Sequence, residues 1–487
     1  MTRVVLRLAP NNIRRWHVSL AASLKAAGWP VTLCLIDDDA APCPVDTLRR
    51  FERRLFHIEP AAAGEKIAAW PGDIDRCPAP PEDAIILDCA GGPPIAGART
   101  LIPDFCGLPD EAGLVANLLR HQPPEIGWRR ASDGALLASG RTALASPHVI
   151  AQGFDHACAR MADLGLKALR LVAGGAGVAV EARVRPAMAG AVHLFAHAAR
   201  EAGGRIAARL LGRRPPLPRW NVGWRRIPAR GSLLDTGQLG DEPFRWLAVD
   251  PARFVADPFL FVHEGRTFVF VEELPFATWR GFISVFEIGA DGTPTPMRPV
   301  LERPYHLSYP SVFSEDGAIW MIPETGANRS VELYRADPFP DLWVLERVLI
   351  ADIDASDATY FRHGGRCWLA VSTASGGASS WDSLSLYHAE SLAGPWVVHP
   401  LNPVLTDPAR ARPAGWLHAG PLGLIRPAQD CVGGYGAALA LNRVSRLDTE
   451  AFEETPLVRI AAPPSWNARG LHTVTQAGSW EVIDAVF

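Results

Sequence analysis

The 487-residue chain has no C-x-x-C pair among its eight cysteines (Cys34, Cys43, Cys77, Cys89, Cys106, Cys158, Cys367 and Cys431), and no histidine stands at metal-ligand spacing from them. Neither a zinc site nor a redox dithiol is expected, and the cysteines read as small buried hydrophobes in a reducing compartment. Both G-x-G-x-x-G and G-x-x-x-x-G-K-[ST] are missing, so no dinucleotide or P-loop cradle is expected and no cofactor or metal is assigned. A basic excess is also absent: 48 Lys+Arg face 52 Asp+Glu, a net charge of −4, which argues against a nucleic-acid partner. The opening MTRVVLRLAPNNIRRW carries an arginine inside its short apolar run and no small-residue cleavage site, so it is not read as a signal peptide. The longest apolar stretch, from Leu171, is broken by glycines and holds a glutamate, too short and too polar to span a bilayer. A cytoplasmic location is the expectation.

Turn formers and tryptophan are what the chain has in excess. Glycine and proline number 43 each, favouring a turn-dense fold over a helical bundle. Of 16 tryptophans only Trp16, Trp29, Trp70 and Trp128 precede residue 215, so a seam is expected there.

The first part reads as β-α-β. The VVLRL run predicts a strand over 3–8, residues 13–27 a helix closed by Gly28, and 31–36 a second strand. Another strand, AIILDC from Ala84, precedes the Gly91-Gly92 pair, read as a plain turn, and a helix opens at Pro109 with acids in its first turn. An α/β layer domain over 1–190 follows. This order of elements is similar to the degenerate formyltransferase-like domain that precedes a propeller in some bacterial proteins. The Asn, His and Asp signature of active formyl transfer is not recognisable, so no chemistry is assigned to this half.

Residues 191–239 read as a helix and linker. The helix spans 192–211, and RRPPLPRW follows it. Nine arginines between Arg200 and Arg230 face one acid, Glu201. A solvated interdomain helix is the favoured reading; membrane-surface contact through the Arg-rich segment 200–230 is the alternative.

A hairpin unit then recurs. DPFLFVHEGRTFVFVEE from Asp257, YPSVFSEDGAIWMIPE from Tyr309 and DATYFRHGGRCWLAVST from Asp357 each hold an apolar run, a turn glycine (Gly265, Gly317, Gly365) and an aromatic three residues later (Phe268, Trp320, Trp368). The glycines are spaced by about 50 residues, the length of one four-stranded blade. Looser copies start at Leu417 and His472. Residues 240–487 thus have the length of a five-bladed β-propeller, and the expected fold class is multidomain α/β plus all-β.

Superposing the repeats places residues on one rim. Asp257, Tyr309 and Asp357 stand eight residues before the turn glycine; Glu272, Glu324 and Ser372 stand seven after it. Arg412, Gln429 and Asp430 fall near the equivalent places in the fourth copy, His472 and Asp484 in the fifth. Acids, arginine and histidine around one mouth suit glycosyl chemistry, which needs one carboxyl to protonate a leaving oxygen, another as base or nucleophile, and cations or amides to grip hydroxyls or phosphate. The competing reading is structural: strand-start aspartates cap turns, and blade-edge acids bond the next blade.

The runs HLSYPSVFSEDGAIWMIPETGANRSVELYRADPFPDLWVLERVL from His306, SLAGPWVVHPLNPVLTDPARARPAG from Ser391 and RPAQDCVGGYG from Arg426 resemble the N-terminal domain family of glucosamine inositolphosphorylceramide transferases. The resemblance implies the five-bladed propeller of the arabinanase, levansucrase and invertase superfamily, and sets the segment at Asp257 beside the place where arabinanase-like enzymes carry their base. In the plant transferases, transfer chemistry is attributed to a different, C-terminal domain, and the invertase-type W-x-N-D-P-N-G, R-D-P and E-C motifs are absent here. The family name therefore does not by itself imply a transferase.

The expected function is a carbohydrate-active protein taking a glycoside or sugar phosphate in the propeller funnel, glycoside hydrolase-like or associated with glycosyl transfer. Asp257 would be base or nucleophile, Glu324 the acid and Asp357 an orienting carboxylate. Arg412, Arg426 and His472 would clamp substrate, with Glu272, His306, Tyr309, Gln429 and Asp430 completing the binding set. The alternative is a non-catalytic glycan- or glycolipid-binding module.

Overall fold

The computed structural model describes residues 2–36, 45–58, 62–91, 95, 97, 99–174, 191–210 and 217–487. Cys43, Gly92, Arg213, Arg214 and most of the apolar stretch from Leu171 lie outside them. The chain forms two compact units, Met1–Pro215 with Ser375–Ser379, and Pro216–Ala374 with Ser380–Phe487.

The first unit is an α/β layer built on a six-stranded mixed sheet. Its order is Val31–Leu35, Val4–Leu8, Ile85–Asp88, Thr100–Phe105, Glu125–Arg130, Leu136–Arg141. The first four strands pair in parallel, and the last two are added by antiparallel pairing. Val4, Val5, Leu6 and Leu8 are all buried, the near-continuous apolar pattern of a parallel strand covered on both faces. The helix Ile150–Ala173 packs where Gly165 lets it approach: a Cβ there would meet Leu20 at 2.9 Å and Trp128 at 3.2 Å. Trp128 is fully buried, and its indole N–H donates to the Met161 carbonyl at 2.9 Å. The expected helix after residue 190 is present as Ala191–Leu210. Of the seven described cysteines six are buried.

The second unit is a five-bladed propeller. Blade 1 is Arg253–His263, Arg266–Pro275, Phe282–Ile288 and Arg298–Leu301; blade 2 is Ser308–Glu315, Ala318–Thr325, Ser330–Ala336 and Trp343–Ala351. Blade 3 is Ala355–His363, Arg366–Thr373, Ser383–Ala389 and Val397–Val398, and blade 4 is His418–Gly420, Gly423–Asp430, Ala438–Leu447 and Phe452–Ile460. The first hairpin of blades 1 to 3 turns at Glu264-Gly265, Asp316-Gly317 and Gly364-Gly365, every residue at positive φ. Both central residues of a type I′ turn need that conformation, which is why the repeat keeps its glycine. The aromatic three residues on staples the hairpin: Trp320 and Trp368 donate their indole N–H to the Glu315 and His363 carbonyls at 3.0 and 3.1 Å.

Blade 5 closes the ring with strands from both ends of the unit. Val474–Ala477 and Trp480–Val486 are followed across the sheet by Trp220–Arg226 and Arg245–Trp246. The stretch 220–239, read from the sequence as linker, thus contributes a central strand of the last blade. Val222 and Trp224 on it are buried, and covering one such indole contributes roughly 4–6 kcal/mol of transfer free energy. Arg225, counted in the Arg-rich segment, is buried as well: it binds Glu481 at 2.6 Å and the Glu242 and Leu239 carbonyls at 2.6 Å. It has no surface to offer a membrane. Among the described residues no helix is long and apolar enough to cross one.

Candidate functional site at the propeller mouth

The first strand of each blade lines the centre of the ring, and in the order blade 5, 1, 2, 3 each touches the next. In blades 1 to 3 that strand carries an equivalent β-bulge, where Asp257, Tyr309 and Asp357 adopt φ of 52°, 45° and 54°. A left-handed non-glycine residue costs about 1–3 kcal/mol and persists where surrounding structure holds it, and a bulge re-aims the side chains beside it. One residue before each bulge, pairing matches Ala256 to Glu272, Ser308 to Glu324 and Ser356 to Ser372. Backbone bonds place Arg412 opposite Gln429 and Thr473 opposite Asp484 in the same way. Glu272, Glu324, Ser372, Gln429 and Asp484 therefore occupy one level, one from each blade.

These residues are bonded to each other across blades. The Asp257 amide donates to Asp484 at 2.9 Å, the Tyr309 amide to Asp257 at 3.2 Å and the Asp357 amide to Glu324 at 3.2 Å. Thr473 donates its hydroxyl to Asp257 at 2.9 Å. Arg412 holds Asp357 through Nε at 2.6 Å and Nη2 at 3.2 Å, reaches Glu324 with the same Nη2 at 3.5 Å and donates to Ser380 at 2.9 Å. Gln429 adds a bond to Asp357 at 2.8 Å.

Burial decides the electrostatics. Asp257 and Asp357 are 3% and 1% exposed. Desolvation pushes both carboxyls up to about 7, against the pull of His472 on the first and Arg412 on the second. Burial disfavours the His472 cation too, yet Asp484, 2.6 Å from Nδ1, and Asp257, 3.5 Å from Nε2, outweigh it and lift the imidazole to about 9. On the blade 1 side His306 lies 3.2 Å from Glu272; burial opposes its charge, but this carboxylate raises its pKa. Near neutral pH the mouth thus holds two carboxyls able to give or take a proton, flanked by fixed cations.

An aromatic wall closes one side. Trp220 stacks on His472 with centroids 3.8 Å apart, and Tyr435 meets His472, Trp220 and Trp381 at 5.3, 6.2 and 5.6 Å. Arg412 lies over the Tyr435 ring at 5.0 Å. The donor atoms of Asp257, His472 and Asp484 lie within 4.8 Å of one another, so this trio could hold a cation once the imidazole gave up its proton.

The structure gathers Asp257, Glu324, Asp357, Glu272, His306, Tyr309, Arg412, Gln429 and His472 at the mouth. Tyr309 is wholly buried, its hydroxyl bonded to Thr359 at 2.9 Å and to the Gly415 amide at 2.6 Å. Arg426 and Asp430 are occupied elsewhere. Arg426 forks onto Glu454 with two 2.7 Å bonds and reaches the Arg410 carbonyl, while Asp430 accepts from Arg459 at 2.5 Å. Sequence reasoning passed over Tyr435, Trp220 and Thr473. Tyr435 had a signal, the GGYG turn after the second strand of blade 4; Trp220 had none, because its blade is completed from across the chain.

Comparison with known proteins bears on this unit. Residues 247–473 match the family described as glucosamine inositolphosphorylceramide transferase 1, N-terminal. The matched segment lies within the propeller. Glucosamine inositolphosphorylceramide transferase 1 of Oryza sativa subsp. japonica is 35% identical over 211 residues, 42% of this chain and 28% of that protein. Its Arabidopsis thaliana namesake is 32% identical over 249 residues, 48% of this chain and 32% of that one. The chain spans about a third or less of these relatives' length. Among solved structures, the exo-β-1,3-galactanase of Clostridium thermocellum is similar at 14% identity with a TM-score of 0.35, covering 42% of this chain and 50% of that one. Most residues of the mouth lie inside the matched segment, with Trp220 before it and Asp484 after it.

Proposed function

We propose that the propeller is a carbohydrate-active unit whose mouth takes a sugar and acts on its glycosidic bond. The observation that carries this reading is the pair Asp257 and Asp357, on equivalent bulges of blades 1 and 3, both buried and both raised to about 7. A carboxyl poised near neutral pH is what general acid–base work on a glycoside requires. Glu324, with its side chain 17% exposed, is the acid of this group that meets solvent and is assigned proton delivery to the leaving oxygen. Asp257 is assigned base or nucleophile. Asp357 with Arg412 is assigned the positioning of Glu324, and Tyr435 with Trp381 the face of the ring. The names of the plant relatives favour an amino sugar or glycolipid as the substrate class.

A second reading is favoured by how fully Asp257 and Asp357 are already bonded: the mouth binds a glycan or glycolipid without turning it over. The two are separated by screening the protein against nucleotide sugars and aryl glycosides, reading thermal shift and turnover together. Loss of more than about a hundredfold of turnover in Asp257→Asn and Glu324→Gln, with folding intact, supports catalysis. Binding without turnover supports the second reading, and neither binding nor turnover overturns both. The likeness of the first unit to a formyltransferase-like layout rests on the order of its elements, and no reaction is attached to it.

A further inference from the structure

The strand of blade 1 that carries Glu272 ends at Pro275 and turns into the next strand at Phe282 through residues 276–281. This turn leaves the sheet at the rim where Asp257 and Glu272 stand. Within it Trp279 is 52% exposed and sits at φ +50°. Either property alone is unremarkable for a loop residue; together they are not. A bulky side chain in the left-handed region costs free energy that asparagine or glycine would avoid, and exposing an indole forgoes the gain of burying it. The turn is nonetheless fixed: the Thr278 and Trp279 amides both donate to the Pro275 carbonyl, at 3.2 and 3.0 Å. Phe276 backs the indole at 5.5 Å, and Phe254 backs Phe276 in turn at 6.1 Å.

Two residues further on, Gly281 ties the turn to the polar side of the mouth. Its amide donates to His306 Nδ1 at 3.0 Å. A Cβ at Gly281 would meet the Leu307 carbonyl at 2.6 Å, and Glu272 and His306 at 2.8 Å, so only glycine admits this contact. A flat, supported apolar face therefore stands two residues along the chain from a glycine whose amide is bonded to a partly exposed imidazole, itself paired with a carboxylate. A pyranose ring presents the matching features, an apolar C–H face and hydroxyls around its edge. An acyl chain would instead need an apolar trough, whereas the turn runs on from the indole through Arg280 to Gly281, which lies against Glu272 and His306.

We infer that Trp279 is a stacking platform for an outer sugar ring, so that the substrate is an oligosaccharide or a glycoside with a second ring rather than a single monosaccharide. The inference rests on the carbohydrate reading above and extends it by one subsite. Full-length wild type, Trp279→Ala and Trp279→Phe are applied to an array of mono- to tetrasaccharides, and the best-bound series is titrated by calorimetry. Expected is a gain of about tenfold in affinity from the first to the second ring in wild type, abolished in Trp279→Ala and largely kept in Trp279→Phe. The same gain in Trp279→Ala as in wild type, or binding of monosaccharides alone, overturns the platform and leaves the carbohydrate reading standing. No binding to any member of the array by folded wild type overturns both.

Discussion

Replacing Arg412 by methionine tests the electrostatics of the mouth. The side chain is buried and its guanidinium serves Asp357 twice and Glu324 once. Methionine keeps the apolar contacts and removes the charge. The effect must depend on pH, because Asp357 is a carboxyl whose folded pKa, about 7, lies above its free value of 3.8. A group raised in this way favours the fold when protonated; that contribution is whole below about 3.8 and is lost as pH rises through about 7. At pH 5 Asp357 is neutral, and Arg412→Met removes the hydrogen bonds to it and to Ser380 together with the contact to Glu324, a loss of about 1–3 kcal/mol. Above pH 7 wild type ionises Asp357 against Arg412, whereas the variant, with the carboxyl pushed higher still, cannot. The gap between the two proteins then widens by about 1.4 kcal/mol for each pH unit above 7 until the variant's own carboxyl ionises. Urea unfolding of both proteins at pH 5, 7, 8 and 9, followed by circular dichroism, reads this directly. A gap that is the same at pH 5 and pH 9, or narrower at pH 9, refutes the account of Asp357 as a buried acid held by Arg412.

Four further outcomes are expected. Asp257→Asn takes away one of the two carboxylates that hold His472 at about 9, so the imidazole, titrated by NMR, should move toward its ordinary value; an unmoved titration contradicts the assignment. Since that raised pKa stabilises the fold fully below about 6.5 and loses its effect as pH rises through about 9, wild type should lose stability across the same interval. Gly281→Ala should lower stability by about 1–3 kcal/mol, because the Leu307 carbonyl at 2.6 Å is backbone and cannot swing aside; an unchanged melting temperature counts against the packing described. Glu454→Gln breaks the enclosed pair with Arg426 and should cost about 3–5 kcal/mol while sparing ligand affinity in the folded protein, and a large loss of affinity would return Arg426 to the mouth.

Blades 1 to 3 were legible because each hairpin carries its own instructions. Type I′ turns demand residues that tolerate positive φ, and the spacing from Gly265, Gly317 and Gly365 sets Asp257 with Glu272, and Asp357 with Ser372, at one rim. Blade 4 was less so: its inner strand shortens to His418–Gly420, and Arg412 reaches its place through an irregular segment joined by isolated backbone bonds. Hence counting could not separate Arg412, which binds Asp357, from Arg426, which turns to Glu454. Gln429 and Asp430 are neighbours on one strand, and alternation sends one to Asp357 and the other to Arg459.

Local chemistry in the sequence settled the element types, the hairpin turns, the five-fold repeat and the residues that share a level, since turn conformation and strand alternation act over a few residues. Ring closure settled the rest. Only the tertiary structure made Trp220–Arg226 the partner of Trp480–Val486, because the last blade must be completed by whichever strand meets it across the ring. The pKa values of Asp257, Asp357 and His472 were likewise decided there, by the burial and charge that five separate blades bring together. With no metal motif, no phosphate loop and no excess of charge, the chain marks its site only by repeat-equivalent positions, and the chemistry of those positions is set by what the other blades place beside them.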